Sequence, residues 1–430
     1  MSIERREFLK QFGGVSIGAT MLPSLRFEFI DHIASASRSI EHLTPEEAAR
    51  DEAYWDEVRK AFDISSDFIN LENGYFSPQP SVVLEAQIVH MRTINSTSSR
   101  YMRTKMEEDR IGIRKELAAF AGCSVDELAI MRNTTEALDT IICGLNLNPG
   151  DEAIMTDQDY GSMLAAFAQQ SKRLGIVNKM ISLPLHPESS EEIVRAFEQA
   201  ITPRTKVMLV THMLNRSGQI LPVKAICKMA RAHGVETIVD AAHSFAHIDF
   251  KISDLDCDYL GASLHKWLCA PLGTGFLYIR KEKIPQIWSL FGDTDFPVDN
   301  IRKFEHQGTQ PCASYLAVSD AIRFHNAIGA KRKEARLRYL THYWVDKVRA
   351  LPGVILNTPM GQEQSCAIAN IGIRGMKPAE IADSLFKIHR IFTVAIDTEA
   401  VQGVRITPHV FTSLNDLDLL IEAITTITMR

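Results

Sequence analysis

The chain has 430 residues, 45% hydrophobic and 23% charged, with a formal net charge of −6 at pH 7. That length supports one large core with a smaller companion domain, or two domains. The acidic balance, with no run of Lys and Arg, argues against a nucleic-acid partner, and no stretch is long and apolar enough to be a membrane span.

The first forty residues are expected to lie outside the fold. Glu4-Arg5-Arg6-Glu7-Phe8-Leu9-Lys10 reads as a twin-arginine export signal, followed by a mildly apolar run from Phe12 to Leu25 and a cleavage site at Ala34-Ser35-Ala36. The location expected from it is the periplasm. A basic amphipathic helix of a cytoplasmic protein is the alternative. Residues 41–79 form an N-terminal segment expected to join the small domain. Thr44-Pro45-Glu46-Glu47 opens a helix by N-cap and proline-at-N1 logic, and Phe68 to Tyr75 is a short strand running into a Gly turn.

Residues 80–329 read as the large domain. Arg132-Asn133-Thr134-Thr135-Glu136 precedes apolar residues at 138, 141, 142 and 145, a helix period. Thr134 and Thr135 therefore sit on a first helical turn, where free N–H groups and the dipole favour an anion; the bland alternative is a simple cap. From Gly150 strands and helices alternate through AIMT, Ile176 to Leu183, KVMLVTHM and ETIVD. Such alternation predicts an α/β fold, a mainly parallel sheet covered on both faces. Ligands of such sheets lie beyond the strand carboxyl ends, where Asp159-Tyr160, Asn215, Asp240 and His243 fall.

The stretch from Glu236 to Lys266 carries the chemistry. One short apolar strand ends in Asp240, with His243 three residues on, and a second, DYLGASL, stops at Ser263-Leu264-His265-Lys266. A lysine just past a buried strand, with an acid closing an earlier one, suits Schiff-base chemistry. The amine can form an imine with an aldehyde cofactor, and the acid can hold a pyridine nitrogen protonated. Residues 330–430 change character, beginning with KRKEARLRYLTHYWVDKVRAL, and read as a small α+β domain. The seven cysteines (123, 143, 227, 257, 269, 312 and 366) are dispersed without metal-ligand spacing and read as free thiols.

SLHKW followed by GTGFLY, with VDAAHS upstream, resembles the class V aminotransferase family of pyridoxal 5'-phosphate (PLP) enzymes, from about residue 65 to the end. THMLNRSGQILP (Thr211 to Pro222) and VRITPHVF (Val404 to Phe411) bring it nearest the isopenicillin N epimerase-like branch. The resemblance implies fold type I with a seven-stranded sheet, PLP on Lys266, Asp240 at the ring nitrogen, and His243 and Asn215 by the ring hydroxyl. It implies Tyr160 stacked on the ring and Thr134, Thr135, Ser263 and His265 at the phosphate. His306-Gln307-Gly308-Thr309 resembles the Gly-Thr element that reaches the phosphate of a neighbouring subunit, implying a homodimer with shared sites. Arg405 matches the carboxylate-binding arginine, and Asn73 and Tyr75 fall where substrate neighbours are expected. Bland readings stand beside these: a loop tyrosine for Tyr160, a turn asparagine for Asn215, a structural salt bridge for Arg405.

Transamination, epimerisation and β-elimination share this machinery. Desulfurases of the family carry a nucleophilic cysteine on a small-domain loop. Here Asp397 to Val404 has none, no cysteine follows Cys366, and persulfide-type desulfurase chemistry is set aside. A C–S or C–Se β-lyase that expels its leaving group directly remains open. The expected function is an aminotransferase-family enzyme acting at Cα of an amino acid or peptide-like amine, with epimerisation second. Epimerisation needs an acid–base group opposite Lys266, for which Tyr75, Tyr101 and His243 are candidates. A non-catalytic exported binding protein is the third reading, opposed by the joint presence of Lys266, Asp240 and Arg405.

Overall fold

The computed structural model describes residues 23–429 except 294 and 362, so the Arg5-Arg6 pair lies outside the described residues. In chain order the strands are β1 (Ile69–Asn70), β2 (Leu128–Met131), β3 (Glu152–Thr156), β4 (Val177–Ile181), β5 (Thr205–Thr211), β6 (Glu236–Asp240) and β7 (Tyr259–Ser263). They continue with β8 (Gly275–Ile279), β9 (Val354–Leu356), β10 (Ala369–Ile373), β11 (Ile391–Phe392), β12 (Val394–Asp397) and β13 (Gln402–Ile406).

Seven of these form the main sheet in the order β2-β8-β7-β6-β5-β3-β4. β8 runs antiparallel to both its neighbours, and the other pairings are parallel. Apart from the partly exposed edge strand β4, the strands are apolar nearly throughout because both faces are covered. In β2, Leu128 and Ile130 enter one core while Ala129 and Met131 enter the other, the alternation a pleated strand imposes. The helices Thr134–Gly144 and Gly161–Leu174 close the second face through Leu138, Ile141, Met163 and Phe167. On the first face, Val223–Ala232 turns Val223, Ile226, Cys227 and Ala230 inward, the set its spacing predicts. Asp240 and Ser263 close β6 and β7 at the same edge as Met131, since Met131 and Ser263 both pair with Gly275.

A smaller antiparallel sheet, β12-β13-β10-β9, packs under the helices Ala330–Val348, Pro378–His389 and Leu414–Thr428. Trp344, Leu385, Leu420 and Ile424 fill its core. The N-terminal segment threads onto this unit: β1 pairs in parallel with β11, Ile69 opposite Ile391, and the Thr407 N–H donates to the Leu71 carbonyl at 2.8 Å. Residues 72–75 are thereby laid beside the end of β13.

One boundary needs correcting. Residues up to 40 are expected outside the fold, yet the helix Pro23–Ser39 runs into it. Ile33 is fully buried, and the Ser37 hydroxyl donates to the Ala327 carbonyl at 2.6 Å. The apolar side chains Ile30, Ile33 and Ile40 belong to the main core, so cleavage at Ala34-Ser35-Ala36 would cut a packed helix. All seven cysteines are unpaired. No helix among the described residues is long and apolar enough to cross a membrane.

Candidate active site

β7 stops at Ser263, and the chain turns so that Lys266 points back to the residues following β6. Lys266 Nζ lies 3.1 Å from His243 Nε2. Burial pushes the Lys266 amine down to about 8, with Asp240 opposing the shift and Arg405 adding to it. The same burial, helped by Lys266 and Arg405, holds His243 well below the usual imidazole range, so the ring is neutral. Its orientation is fixed from behind. His247 Nδ1 donates to the His243 carbonyl at 2.8 Å, and His247 Nε2 accepts the Ala367 N–H at 2.9 Å. His247 also stacks on Trp267 with ring centroids 3.5 Å apart.

Asp240 is buried, and one of its oxygens accepts the Ala242 N–H at 2.9 Å. Burial raises its pKa against the pull of that hydrogen bond and of Lys266. A carboxylate so placed is stabilised by any cation brought against it, such as a protonated ring nitrogen. Next to it, burial pushes Asp159 up to about 7, though it accepts from Thr211 Oγ1 at 2.6 Å and the Thr156 N–H at 2.7 Å. The hydrogen bonds from Thr156 and Thr211 tie the ends of β3 and β5 together.

At the other end, Asn133 caps the helix Thr134–Gly144 by accepting the Glu136 N–H. The Thr134 N–H and hydroxyl both meet Ser263 Oγ, at 2.9 and 2.8 Å. The half-buried Thr135 has no backbone N–H partner among the described residues, at a helix start suited to an anion. Two glycines let this start approach the sheet. A Cβ on Gly275 would stand 2.7 Å from Asn133 Cα, and one on Gly261 would stand 2.7 Å from a Leu138 methyl.

His243 Nδ1, His265 Nδ1 and Asn215 Oδ1 are buried without partners among the described residues. Buried polar atoms are nearly always hydrogen-bonded, so a polar ligand between the strand ends would satisfy them. Burial brings His265 down to about 4, so it too is neutral. Tyr160 stands at the rim, 41% exposed, at the N-cap of the helix Gly161–Leu174.

Arg405 is differently engaged. Its Nε–H donates to Glu72 Oε2 at 3.3 Å, its Nη2–H to Glu72 Oε1, and its Nη1–H to the Asn215 carbonyl at 2.9 Å. The salt-bridge alternative for Arg405 is therefore what the structure contains, in a buried pair. Glu72 has no helical or motif context, and only its place two residues before Gly74 in an active-site turn could have marked it.

Three expected residues are not gathered with the rest. Asn73 is fully buried but committed to the turn, its Nδ2 donating to the Thr407 carbonyl at 2.8 Å and its N–H to Thr407 Oγ1 at 2.6 Å. That corrects its reading as a substrate contact, because both amide hydrogens are engaged by backbone carbonyls. Tyr75 is 71% exposed, packed edge-on against Phe76. Thr309 is exposed on the turn after Ile301–Glu305.

The class V aminotransferase family model matches residues 72–393. The chain belongs to that family, and its cofactor is PLP. The isopenicillin N epimerase of Amycolatopsis lactamdurans is 27% identical over 389 residues, 86% of this chain and 98% of that protein. That of Streptomyces clavuligerus is 26% identical over 87% of this chain and 99% of that protein. A probable cysteine desulfurase of Synechocystis sp. is 27% identical over 76% of this chain and 82% of that protein. Among solved structures, a C-DES mutant with glycine covalently linked to its PLP cofactor superimposes with a TM-score of 0.77 at 20% identity, covering 85% of this chain and 98% of that one. The apo cysteine desulfurase of Thermococcus onnurineus NA1 gives 0.76 at 22% identity, covering 87% and 98%. Desulfurases thus stand among the relatives, and these likenesses do not carry the expectation that sets that chemistry aside.

The side chains present fit the cofactor: a helix start and hydroxyls for a phosphate, a buried acid for a ring nitrogen, unpartnered polar atoms for the ring edge and an amine for the aldehyde.

Proposed function

We propose that the chain moves the proton at Cα of an amino acid or peptide-like amine, and that its reaction is transamination. The observation that carries this reading is the contact of Lys266 Nζ with His243 Nε2 at 3.1 Å, an amine at about 8 against a neutral ring. When bound, PLP supplies an aldehyde for the lysine and a ring that accepts electrons from Cα. Thr134, Thr135, Ser263 and His265 would hold its phosphate, Asp240 its ring nitrogen, Asn215 and His243 its hydroxyl, with Tyr160 over the ring. Arg405 stands at the carboxyl end of the substrate.

An amine with a pKa near the working pH is an efficient base, so Lys266 Nζ takes the Cα proton. His243, a neutral acceptor, holds that nitrogen in place. One base on one face suits transamination. Of the groups nominated for the opposite face, His243 lies against Lys266 itself, the Tyr101 hydroxyl donates to Asp109 at 3.0 Å, and Tyr75 is 71% exposed. The second reading is epimerisation, favoured by the two isopenicillin N epimerases that match 86–87% of the chain. Against persulfide chemistry, the turn from Thr398 to Val401 has no thiol, and burial pushes that of Cys366 up to about 12. Thr309, exposed, would complete the phosphate site of a second copy in a homodimer, and Arg5-Arg6 would direct export to the periplasm.

The test is to incubate purified enzyme in deuterated water with a panel of amino acids and a 2-oxo acid. Deuterium at Cα together with amino transfer to the oxo acid is expected. Exchange with inversion of configuration would replace transamination by epimerisation, and release of pyruvate or sulfide would replace it by elimination. A Lys266→Ala protein that still exchanged the Cα proton would overturn the reading altogether.

A further inference from the structure

The Glu72–Arg405 pair has a consequence for which amines the site accepts. Glu72 is fixed in place. Its N–H donates to Asn70 Oδ1 at 3.0 Å, its Oε1 also accepts the Tyr75 N–H at 3.1 Å, and it forms a parallel bridge with Thr407. Arg405 is pressed against the same turn, for a Cβ on Gly74 would lie 3.0 Å from its Cζ. Glu72 and Arg405 are 9% and 6% exposed, so water screens their attraction little.

A guanidinium has five N–H donors in a planar fork. Glu72 takes the Nε/Nη2 edge and the Asn215 carbonyl takes one Nη1–H. Two N–H groups remain for a ligand, on a cation whose charge is already balanced. Of the other groups coupled to Arg405, His243 is neutral, and Lys266, at about 8, is mostly charged below that pH until its amine is taken up by the cofactor. A neutral carbonyl oxygen can accept both remaining hydrogens. An anionic carboxylate there would share the guanidinium with Glu72 and face its negative charge, which disfavours it.

We propose that Glu72 masks Arg405, so that the site prefers amines whose carboxyl end is neutral, as in an amide or a peptide bond, over amines with a free α-carboxylate. This rests on the reading that Arg405 stands at the carboxyl end of the substrate. Glu72 acts through Arg405 as a specificity residue, without a part in moving the proton.

The experiment is a ligand-observed NMR titration of the holoenzyme with propionate and with propionamide, for wild type, Glu72→Gln and the double variant Glu72→Gln/Arg405→Met. The visible absorbance of bound cofactor and the Tm establish that each is folded. Glu72→Gln is expected to bind propionate about tenfold more tightly than wild type and propionamide unchanged. The double variant is expected to lose that gain. Equal or weaker propionate binding by Glu72→Gln overturns the masking, as does a parallel change in both ligands, which marks a structural role. A gain that survives in the double variant shows instead that Arg405 is not at the carboxyl end, and the underlying reading falls with it.

Discussion

The two ends of the candidate site are assembled in different ways. Asp240, His243, Ser263, His265 and Lys266 lie within one strand–connection–strand unit, β6 to just past β7. Tyr160, Asn215 and the helix start at Thr134 come from elsewhere, and Gly261 and Gly275 seat that helix start directly on the same strands. The Arg405 end joins an N-terminal turn, a loop after β5 and the last strand of the small sheet, with Glu72 and Arg405 separated by 333 positions. The first end follows from how a parallel sheet leaves its strand ends pointing one way. The second exists only while three segments of chain are docked together. Cofactor chemistry and substrate choice are thus open to separate change.

The largest break on the cofactor side is Lys266→Ala. It removes the amine placed against His243, and loss of a positioned acid–base group costs about 10²–10⁴ in rate. Deuterium exchange at Cα should fall by at least that much, with the visible absorbance of lysine-bound cofactor gone and Tm little changed. On the substrate side, Arg405→Met leaves Glu72 buried without its cation. Breaking a buried pair costs about 3–5 kcal/mol, so chemical denaturation should show that loss, and Glu72→Gln/Arg405→Met should recover much of it. If Arg405→Met changed activity alone and left stability intact, the two ends would not differ as described.

This contrast also accounts for what could be read from the sequence. The alternation from Gly150, the acid closing β6 and the lysine after β7 are local patterns, and the structure has the mainly parallel sheet that the alternation implies, with the seven strands that the family resemblance implies. The helix start at Thr134 was legible for the same reason: a cap and an apolar period need no distant partner. Arg405 was visible through its motif, but its partner was not, because nothing local to Glu72 specifies a contact 333 positions away. Asn73 was misread likewise, its amide being engaged by Thr407 across the domain junction. The helix Pro23–Ser39 was assigned to a leader because a mildly apolar N-terminal run looks alike whether it is exported or packed. Only its partners, among them Tyr54 and Ala327, separate the two.

That helix offers a control that should touch neither end. Ile33 is fully buried in the main core. An Ile→Ala change at such a site costs about 2–5 kcal/mol from lost burial and the cavity left behind. Ile33→Ala should therefore lower stability in denaturant by a few kcal/mol while leaving the Cα exchange rate of the folded enzyme unchanged. A stability unchanged within error would return residues 29–40 to the leader.

The smallest expected effect couples the two ends. Only the neutral amine of Lys266 can attack an aldehyde, and burial has brought its pKa to about 8. In apoenzyme, the rate of cofactor attachment should rise with pH by about tenfold between pH 7 and 9 and level off above, because the neutral fraction grows from about one-tenth to about nine-tenths. A lysine at its ordinary value would go on gaining past pH 10. The charges at the substrate end move this midpoint with opposite signs: Glu72 raises the Lys266 pKa and Arg405 lowers it. Glu72→Gln removes the raising charge and leaves the lowering one, so the rate should level off at a lower pH than in wild type. A midpoint unmoved by Glu72→Gln would mean that the two ends are electrostatically independent, and that the pair at residues 72 and 405 acts only on what it touches.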